Sequence, residues 1–457
     1  MPCLSDIICL TKFAITDSRK RCLCQVNFII EKRMDRKYHI ITFGCQMNRS
    51  DSERVAAIFE HLNCSAVDAV EQADFVVINA CSVRQMAIDK IWGLVVKFKK
   101  IKKKRPLITI LTGCLLFADK KKFQNNFDLM FNIKELSELE KFLHHRQVYT
   151  TDNYFNVLPK TTSSYQAYIP IMIGCNNYCS YCAVPYVRGR EISRPVKEIL
   201  LEVKQTVRRG CLAVELLGQN VNSFLPTDKT SFSAKNPYHH QFAKLLWEVN
   251  QIKGLKRINF TASHPKDMVD EVIHALTLPK QINYLHLALQ SGDNEILKKM
   301  NRQYTIADFD NIIKKIRKVK PALALGTDII VGFPGETKKQ FNNTLKFYRK
   351  IKFDISFNAM YSMRRGTVAA NLDDDVTHKE KKRRWHELQL IMEKITLQKN
   401  KKYVGREVSV LIDACHDDFC EGNSLEMKRV WVYDKKAKPG DIIKVKIKSA
   451  KEWILVA

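Results

Sequence analysis

Three closely spaced cysteines are the residues of this chain best suited to do chemistry. Cys175, Cys179 and Cys182 have the spacing C-x3-C-x2-C in the segment IMIGCNNYCSYCAVPY. A closed zinc site takes four ligands, and the next Cys or His downstream is Cys211, beyond a predicted helix. Three thiolates can instead bind three irons of a [4Fe–4S] cluster and leave the fourth iron open. An open iron can hold the amino and carboxylate groups of S-adenosylmethionine (SAM), so the triplet predicts radical chemistry with SAM.

A second set of three cysteines lies in the N-terminal part of the chain. Cys45, Cys81 and Cys114 each end a strand-like segment, in YHIITFGC, ADFVVINAC and LITILTGC. The carboxyl ends of parallel strands meet at one edge of an open sheet, so these thiols can converge although they are far apart in sequence. Two of them follow a glycine directly, which suits a loop turn. The alternative is that all three are ordinary buried cysteines of the core.

The segments around these cysteines alternate between strands and helices. In the N-terminal part, the alternation predicts parallel βαβ units in a Rossmann-like sheet. Six strand-like segments with helical patterns between them then predict an incomplete (β/α)6 barrel, with its chemistry at the carboxyl ends of the strands. The cysteine triplet directly follows the first of these six strands. Short alternating strands at the C-terminus predict a small all-β barrel.

The predicted fold class is therefore α/β, and the chain divides into five segments. Residues 1–37 are expected to be an extension, either disordered or a start-site artefact, since Met34 precedes the first strand. Residues 38–148 form the N-terminal cysteine domain, and residues 149–164 a linker without periodicity. Residues 165–400 form the barrel, and residues 401–457 the β-module.

Composition indicates a globular protein with a strong excess of basic residues. The chain has 76 Lys and Arg against 48 Asp and Glu, a formal charge of +28, which favours nucleic acid as a partner. The lysine runs are equally compatible with solvated helix faces. No apolar run approaches the ~20 residues of a membrane span. The 14 cysteines without a secretory signal indicate a reducing cytosol, so we expect a cytoplasmic protein, and a monomer.

Several segments resemble one family, the radical-SAM methylthiotransferases. The resemblance covers nearly all of residues 38–457 and rests on TFGCQMN, NACSVR, TGC, GCNNYCSYCAVPYVRGREISRP, LLGQNVNSF, SHPKDM, LQSGDNEILKKMNRQYT and GTDIIVGFPGET. QMN after the first cysteine is similar to the MiaB-type tRNA branch, whereas KVN and PKN are typical of two other branches. The segment YSMRRGT departs from the family pattern, but no departure removes a cysteine.

The resemblance implies two [4Fe–4S] clusters, SAM, and an RNA-binding TRAM fold for the β-module. The implied cluster ligands are the six cysteines, Cys175, Cys179 and Cys182 for the radical-SAM cluster and Cys45, Cys81 and Cys114 for an auxiliary cluster. Tyr181, Arg194 and Gln219 are implied SAM contacts, each also compatible with a packing role. No catalytic side chain is implied beyond the ligands. The other eight cysteines are interpreted as non-ligands: Cys3, Cys9, Cys22, Cys24, Cys64, Cys211, Cys415 and Cys420.

The implied reaction is methylthiolation of carbon 2 of the isopentenyladenosine next to the anticodon in tRNA. SAM would be both methyl donor and radical source, and a flavodoxin or ferredoxin would supply electrons. One alternative is methylthiolation of threonylcarbamoyladenosine in tRNA or of a ribosomal-protein aspartate. An alternative of another class is a non-catalytic iron–sulfur protein that binds RNA.

Overall fold

The computed structural model describes residues 35–81, 85–143, 154–160, 163–434 and 436–457. The described residues form two compact units, which divide between Lys160 and Thr161. The predicted extension lies almost wholly outside the described residues. The first strand begins at Arg36, so the last two residues of the predicted extension belong to the sheet.

The first unit is built around a parallel sheet. Its strands are β1 (Arg36–Thr42), β2 (Cys64–Ala66), β3 (Phe75–Cys81), β4 (Ile108–Cys114) and β5 (Leu129–Met130). Its helices are α1 (Gln46–His61), α2 (Gln85–Lys102), α3 (Phe117–Phe123) and α4 (Leu136–Leu143). The strand order is β2-β1-β3-β4-β5, with every pair parallel. β3 and β4 are buried at every position, as central strands covered on both faces must be. The predicted Rossmann-like sheet is confirmed.

Part of the predicted linker packs within this first unit. The Tyr154 hydroxyl donates to Asp51 Oδ1 at 2.6 Å, and the Arg54 guanidinium lies 4.9 Å from the centre of the Tyr154 ring. Residues 149–153 and 161–162 of that segment lie outside the described residues. Residues 154–160 therefore belong to the first unit, and Tyr154 and Phe155 are buried in it.

The second unit begins with a barrel of strands and helices. Its strands are β6 (Gln166–Pro170), β7 (Met172–Ile173), β8 (Ile192–Ser193), β9 (Ala213–Leu217), β10 (Arg257–Phe260), β11 (Tyr284–His286), β12 (Ala324–Val331) and β13 (Ile355–Met360). Its helices are α5 (Val184–Arg188), α6 (Val196–Arg208), α7 (Gln241–Gln251), α8 (Asp270–Ala275), α9 (Asn294–Lys299), α10 (Ile306–Val319), α11 (Lys338–Ile351) and α12 (His378–Lys401).

Six of these strands form the predicted incomplete barrel. β6, β9 and β10 form one parallel sheet, β11, β12 and β13 form another, and a parallel bridge between Ser263 and Leu287 joins them. β7 and β8 pair separately as a short antiparallel ribbon. The helices cover the barrel through apolar faces. On α10, Phe309, Ile313 and Ile316 are buried, at the spacing that places side chains on one helix face.

The last part of the second unit is a small β-module. Its strands are β14 (Glu407–Cys415), β15 (Cys420–Ser424), β16 (Arg429–Val432), β17 (Ile442–Lys446), β18 (Ser449–Ala450) and β19 (Leu455–Val456), in the order β17-β14-β15-β16-β19-β18. The predicted all-β fold is confirmed, and its assignment as a TRAM domain stays a prediction. A disulfide that the sequence did not predict joins Cys415 to Cys420.

The β-module docks at the amino ends of the barrel strands. Arg257, the first residue of β10, donates to the carbonyls of Asn423 at 2.8 Å and Ser409 at 2.9 Å. The amide of Asn283, just before β11, donates to the carbonyl of Leu425 at 2.7 Å. The β-module therefore lies at the end of the barrel opposite the carboxyl ends of the strands. Among the described residues, every helix is too short or too polar to cross a lipid bilayer.

Candidate functional site

A cleft of about 210 Å³ opens at the carboxyl ends of the barrel strands. Residues that follow four of the six strands, together with Asp328 inside β12, contribute to its walls. They include Cys175, Asn177, Cys179, Tyr181, Cys182, Gln219, Ala262, Ser263, His264, Ala288, Gln290, Arg302 and Asp328. The structure thus brings the cysteine triplet together with Tyr181 and Gln219, at the end of the barrel where the sequence predicts chemistry.

The loop that carries the triplet is fixed at its start by Gly174. This residue has φ +85°, and a Cβ there would lie 2.0 Å from the carbonyl oxygen of Arg190, so only glycine fits. Its amide donates to Gln219 Oε1 at 2.5 Å. Further along the loop, Asn301 Nδ2 donates to the carbonyl of Tyr178 at 2.9 Å. The loop is therefore held from two sides of the cleft.

The three thiols lie in a poorly solvated place beside a buried cation. Cys175 and Cys179 are buried and Cys182 is half-buried. Burial raises the pKa of the Cys182 thiol to about 12 and also raises the pKa of Cys175. Arg302, itself buried, donates from Nη1 to Cys179 Sγ at 3.3 Å. A guanidinium in this position stabilises negative charge on the sulfur.

This donor set fits an iron–sulfur cluster better than a single metal ion. In the described part of the chain, no three Cys, His, Asp or Glu side chains are arranged to hold one ion. A cluster does not need that arrangement, because each thiolate binds a different iron. Soft thiolate ligands from one loop match the preference of cluster iron.

Tyr181 and Arg194 have different places in the structure. Tyr181 lines the cleft and packs against a buried group that includes Met300 and Phe333. Arg194 does not line the cleft. Its Nε donates to Glu198 Oε2 at 3.2 Å and its Nη1 to Glu202, and its side chain is only 3% exposed. A buried guanidinium needs carboxylate partners, and Arg194 finds them on α6, which supports a packing role; its contact with SAM stays a prediction.

Six polar residues of the cleft were not predicted as site residues: Asn177, Ser263, His264, Gln290, Arg302 and Asp328. Ser263 and His264 follow β10, Gln290 follows β11, and Arg302 lies beyond α9. The sequence did contain one usable signal, since polar residues directly after a barrel strand lie at its carboxyl end.

The first unit brings its three cysteines to one edge of the sheet. Cys81 and Cys114 are register partners at the ends of β3 and β4. Cys45 follows β1, the other neighbour of β3, and occupies the N-cap of α1. The chain changes direction across the sheet between β1 and β3, the position at which open parallel sheets bind ligands.

Two buried asparagines and a glycine fix this edge. Asn48 Oδ1 accepts from the Cys45 amide at 3.3 Å, and Asn48 Nδ2 donates to Asn79 Oδ1 at 3.0 Å. Asn79 Nδ2 in turn donates to the carbonyl of Asn48 at 2.7 Å. Gly113 has φ +109°, and a Cβ there would lie 2.2 Å from the carbonyl oxygen of Ala80. The backbone before each cysteine is therefore closely constrained.

Two family models match the chain in the regions that carry the cysteines. The model described as the Radical SAM superfamily matches residues 169–348, and the model described as the uncharacterized protein family UPF0004 matches residues 37–132. The solved structure of the radical SAM methyltransferase TsrM from Kitasatospora setae is similar, with a TM-score of 0.53 at 12% identity over 74% of each chain. The apo radical enzyme OxsB has a TM-score of 0.51 at 11% identity, over 91% of this chain and 69% of its own. These two structures support the fold alone.

Similar curated proteins cover almost the whole chain. A protein of Thermoanaerobacter sp. (strain X514) is 38% identical over 92% of this chain and 91% of its own length. One of Acetivibrio thermocellus is 36% identical over 94% and 93%, and one of Dictyoglomus thermophilum 38% over 92% and 97%. All three are named tRNA-2-methylthio-N(6)-dimethylallyladenosine synthase.

The fold and the cleft define a radical SAM enzyme, a class that uses a [4Fe–4S] cluster and SAM. Within that class, the chain belongs to the radical-SAM methylthiotransferase family, in its tRNA branch.

Proposed function

We propose that this chain attaches a methylthio group to carbon 2 of the isopentenyladenosine next to the anticodon in tRNA. SAM serves both as methyl donor and as radical source. The substrate rests on relatives that are named for this reaction and match more than nine-tenths of the chain. The observation that carries the chemistry is the buried cysteine triplet in the cleft at the carboxyl ends of the barrel strands.

The barrel residues have separate roles in this proposal. Cys175, Cys179 and Cys182 hold the radical-SAM cluster. Arg302 stabilises the negative charge of the Cys179 sulfur, and Tyr181 and Gln219 form the wall against which SAM binds. When bound, such a cluster would supply the electron for SAM cleavage, which is radical chemistry suited to a C–H bond that no side-chain base can deprotonate.

The first unit holds a second [4Fe–4S] cluster on Cys45, Cys81 and Cys114. The common edge of these residues and the asparagine contacts around Cys45 support this assignment. Residues 401–457 act as a TRAM module that binds the RNA backbone. The electron donor, a flavodoxin or ferredoxin, the monomeric state and the cytoplasmic location stay predictions.

Anaerobic reconstitution with iron and sulfide, followed by an assay, tests the proposal. The assay contains SAM, a reductant and tRNA carrying isopentenyladenosine. We expect about eight irons per chain, four for each cluster, release of 5′-deoxyadenosine, and a mass gain of one methylthio group on the tRNA. Deoxyadenosine release without a tRNA product would reject the substrate. Product mass on threonylcarbamoyladenosine tRNA or on the ribosomal protein would then identify the alternative.

Two triple variants assign the clusters. C175A/C179A/C182A is expected to keep about four irons and to release no deoxyadenosine. C45A/C81A/C114A is expected to keep about four irons and to release deoxyadenosine without forming product. C211A removes a buried cysteine outside both sites and is the matched control, with full iron content. Full iron content in either triple variant would remove that cluster from the proposal.

A further inference from the structure

We propose that His264 donates a hydrogen bond from Nε2–H to a ring nitrogen of the target adenine and so positions the carbon to be modified. This inference rests on the proposed function, since that function makes an adenine the substrate. His264 is not a cluster ligand. The inference gives this residue of the cleft wall a role in positioning the substrate and in specificity.

The first observation is an unpaired polar atom in the cleft. His264 lines the cleft and is 5% exposed. Its Nε2 has no hydrogen-bond partner among the described residues. Buried polar atoms are nearly always paired, so an unpaired one on a residue that lines a cleft indicates a group completed by a ligand.

The second observation is the way in which the ring is held. The Lys266 amide donates to His264 Nδ1 at 3.2 Å, so Nδ1 is the acceptor and the proton of the neutral ring is on Nε2. Asn222 fixes the backbone of His264 from both sides. Its Nδ2 donates to the His264 carbonyl at 2.8 Å and its Oδ1 accepts from the His264 amide at 2.9 Å. His264 is therefore held in a fixed place, with its N–H donor on Nε2.

The chemistry of this donor favours a ring nitrogen over the carboxylate of SAM. Burial, with the nearby charges of Arg302 and Lys266, lowers the pKa of His264 to about 2, so the imidazole is neutral at working pH. An anion pairs best with a charged donor, whereas a neutral N–H matches a neutral acceptor. Carbon 2 of adenine lies between two such acceptors, ring nitrogens 1 and 3. A hydrogen bond to either one fixes the position of that carbon.

The surrounding wall has the features of a ligand site. Ala262 and Gln290, at the ends of neighbouring strands, have φ of +66° and +67°. Non-glycine residues in this region are strained, and such strain clusters at ligand sites. Ser263 Oγ and Gln290 Oε1 also lack hydrogen-bond partners among the described residues. Three residues of the cleft wall therefore carry unpaired polar atoms, as expected beside a ligand rich in hydrogen-bonding atoms.

Two variants separate a ligand contact from a structural role. H264N keeps an acceptor near the position of Nδ1 for the Lys266 amide but removes the donor in the cleft. H264Q places an N–H donor near the position of Nε2 and loses the contact with Lys266. H386N changes an exposed histidine of α12 and is the control.

The probes are anticodon stem-loop RNAs that carry isopentenyladenosine, or its analogue with ring nitrogen 1 or 3 replaced by CH. We measure the product rate of the reconstituted enzyme and, without reductant, the Kd for each RNA. For the wild type, one analogue is expected to lose about tenfold to a hundredfold in kcat/KM and to bind more weakly. On the parent RNA, the kcat/KM of H264N is expected to fall by the same factor. On that analogue, H264N shows no further loss, because the hydrogen bond is already missing. H264Q is expected to recover part of the loss.

Three results would overturn the inference. In the first, H264N still prefers the parent RNA over that analogue by the wild-type factor. In the second, H264N weakens SAM binding while RNA binding is unchanged, which would make His264 a SAM contact. In the third, the wild type gives no product with the parent RNA, which would reject the proposed function as well. The first two leave the proposed function standing, so the two failures are distinguishable.

Discussion

Gly174 controls the conformation of the cysteine loop at the scale of a single residue. In G174A, the new Cβ would meet the backbone carbonyl of Arg190 at 2.0 Å, in a left-handed conformation. Backbone atoms cannot move aside as a flexible side chain can, so we expect the loop to shift and the variant to lose about 1–3 kcal/mol of unfolding free energy. Iron content after reconstitution should fall by about four atoms per chain. Urea unfolding and iron analysis measure the two effects.

Gly93 provides the matched control for this substitution. It lies in α2, and a Cβ there would meet nothing within 4 Å. G93A is expected to raise the unfolding free energy by about 0.5–1 kcal/mol, because alanine favours the helix, and to leave the iron content unchanged. Full iron content in G174A would mean that the loop tolerates the strain, contrary to this prediction.

Sequence spacing predicted the cysteines of the site but not the polar residues around them. Three thiols within eight residues are a local pattern, so the sequence displays it directly. Arg302 reaches Cys179 from 123 residues away, and no spacing rule reports such a contact. The family resemblance implied a SAM contact for Arg194 and left a packing role open. Glu198, four residues further on and at ion-pair distance, was the available signal for its packing role.

Asp354 joins three elements of the second unit. It immediately precedes β13, and its side chain is 8% exposed. It accepts from Lys399 of α12 at 2.7 Å and pairs with Lys428 of the β-module at 3.2 Å. D354N leaves the buried ammonium group of Lys428 and the half-buried one of Lys399 without their carboxylate, so we expect a loss of about 3–5 kcal/mol in urea unfolding at neutral pH.

An exposed ion pair gives the comparison for this variant. Asp270 pairs with Lys315 at 2.6 Å, but its side chain is 75% exposed. D270N is therefore expected to cost less than about 1 kcal/mol. Equal losses in D270N and D354N would show that burial does not set the strength of the Asp354 contacts.

The same carboxyl group predicts a pH dependence of stability. Burial raises the pKa of Asp354, but Lys428 and Lys399 outweigh burial and hold it below its ordinary value. The folded state therefore binds the proton less tightly than the unfolded chain, whose Asp has a pKa of about 3.9. The contribution to stability is complete above that value and is lost as pH falls through the folded pKa.

The difference in unfolding free energy between wild type and D354N should stay constant from neutral pH to about pH 5 and shrink in stronger acid. A difference that grows in acid would contradict this prediction.

Element length decided which strands the sequence could predict. The six barrel strands were predicted because apolar, β-branched runs recur between helical segments, and all six are present. β5 and β18 have two residues each, too few for a sequence pattern; β5 pairs with the longer β4, and β18 with the equally short β19. β15, with the sequence CEGNS, has no alternation of apolar and polar residues. The neighbouring strands β14 and β16 define it, which is information from the fold rather than from the segment.

The net charge of +28 belongs to the whole molecule, and salt separates its two explanations. If the charge binds tRNA, about six to ten phosphate contacts would weaken the affinity by about 10³- to 10⁵-fold between about 50 and 200 mM salt. If the lysines are only solvated helix faces, tRNA affinity changes little over the same range. We expect the first result when Kd is measured by fluorescence anisotropy at several salt concentrations. The slope of log Kd against log salt then gives the number of phosphates contacted.

SAM binding is the control, because SAM releases no condensed counterions and its Kd should stay nearly constant. A change in tRNA affinity of less than about threefold would assign the charge to composition alone, since the counterion release that drives phosphate binding would be missing.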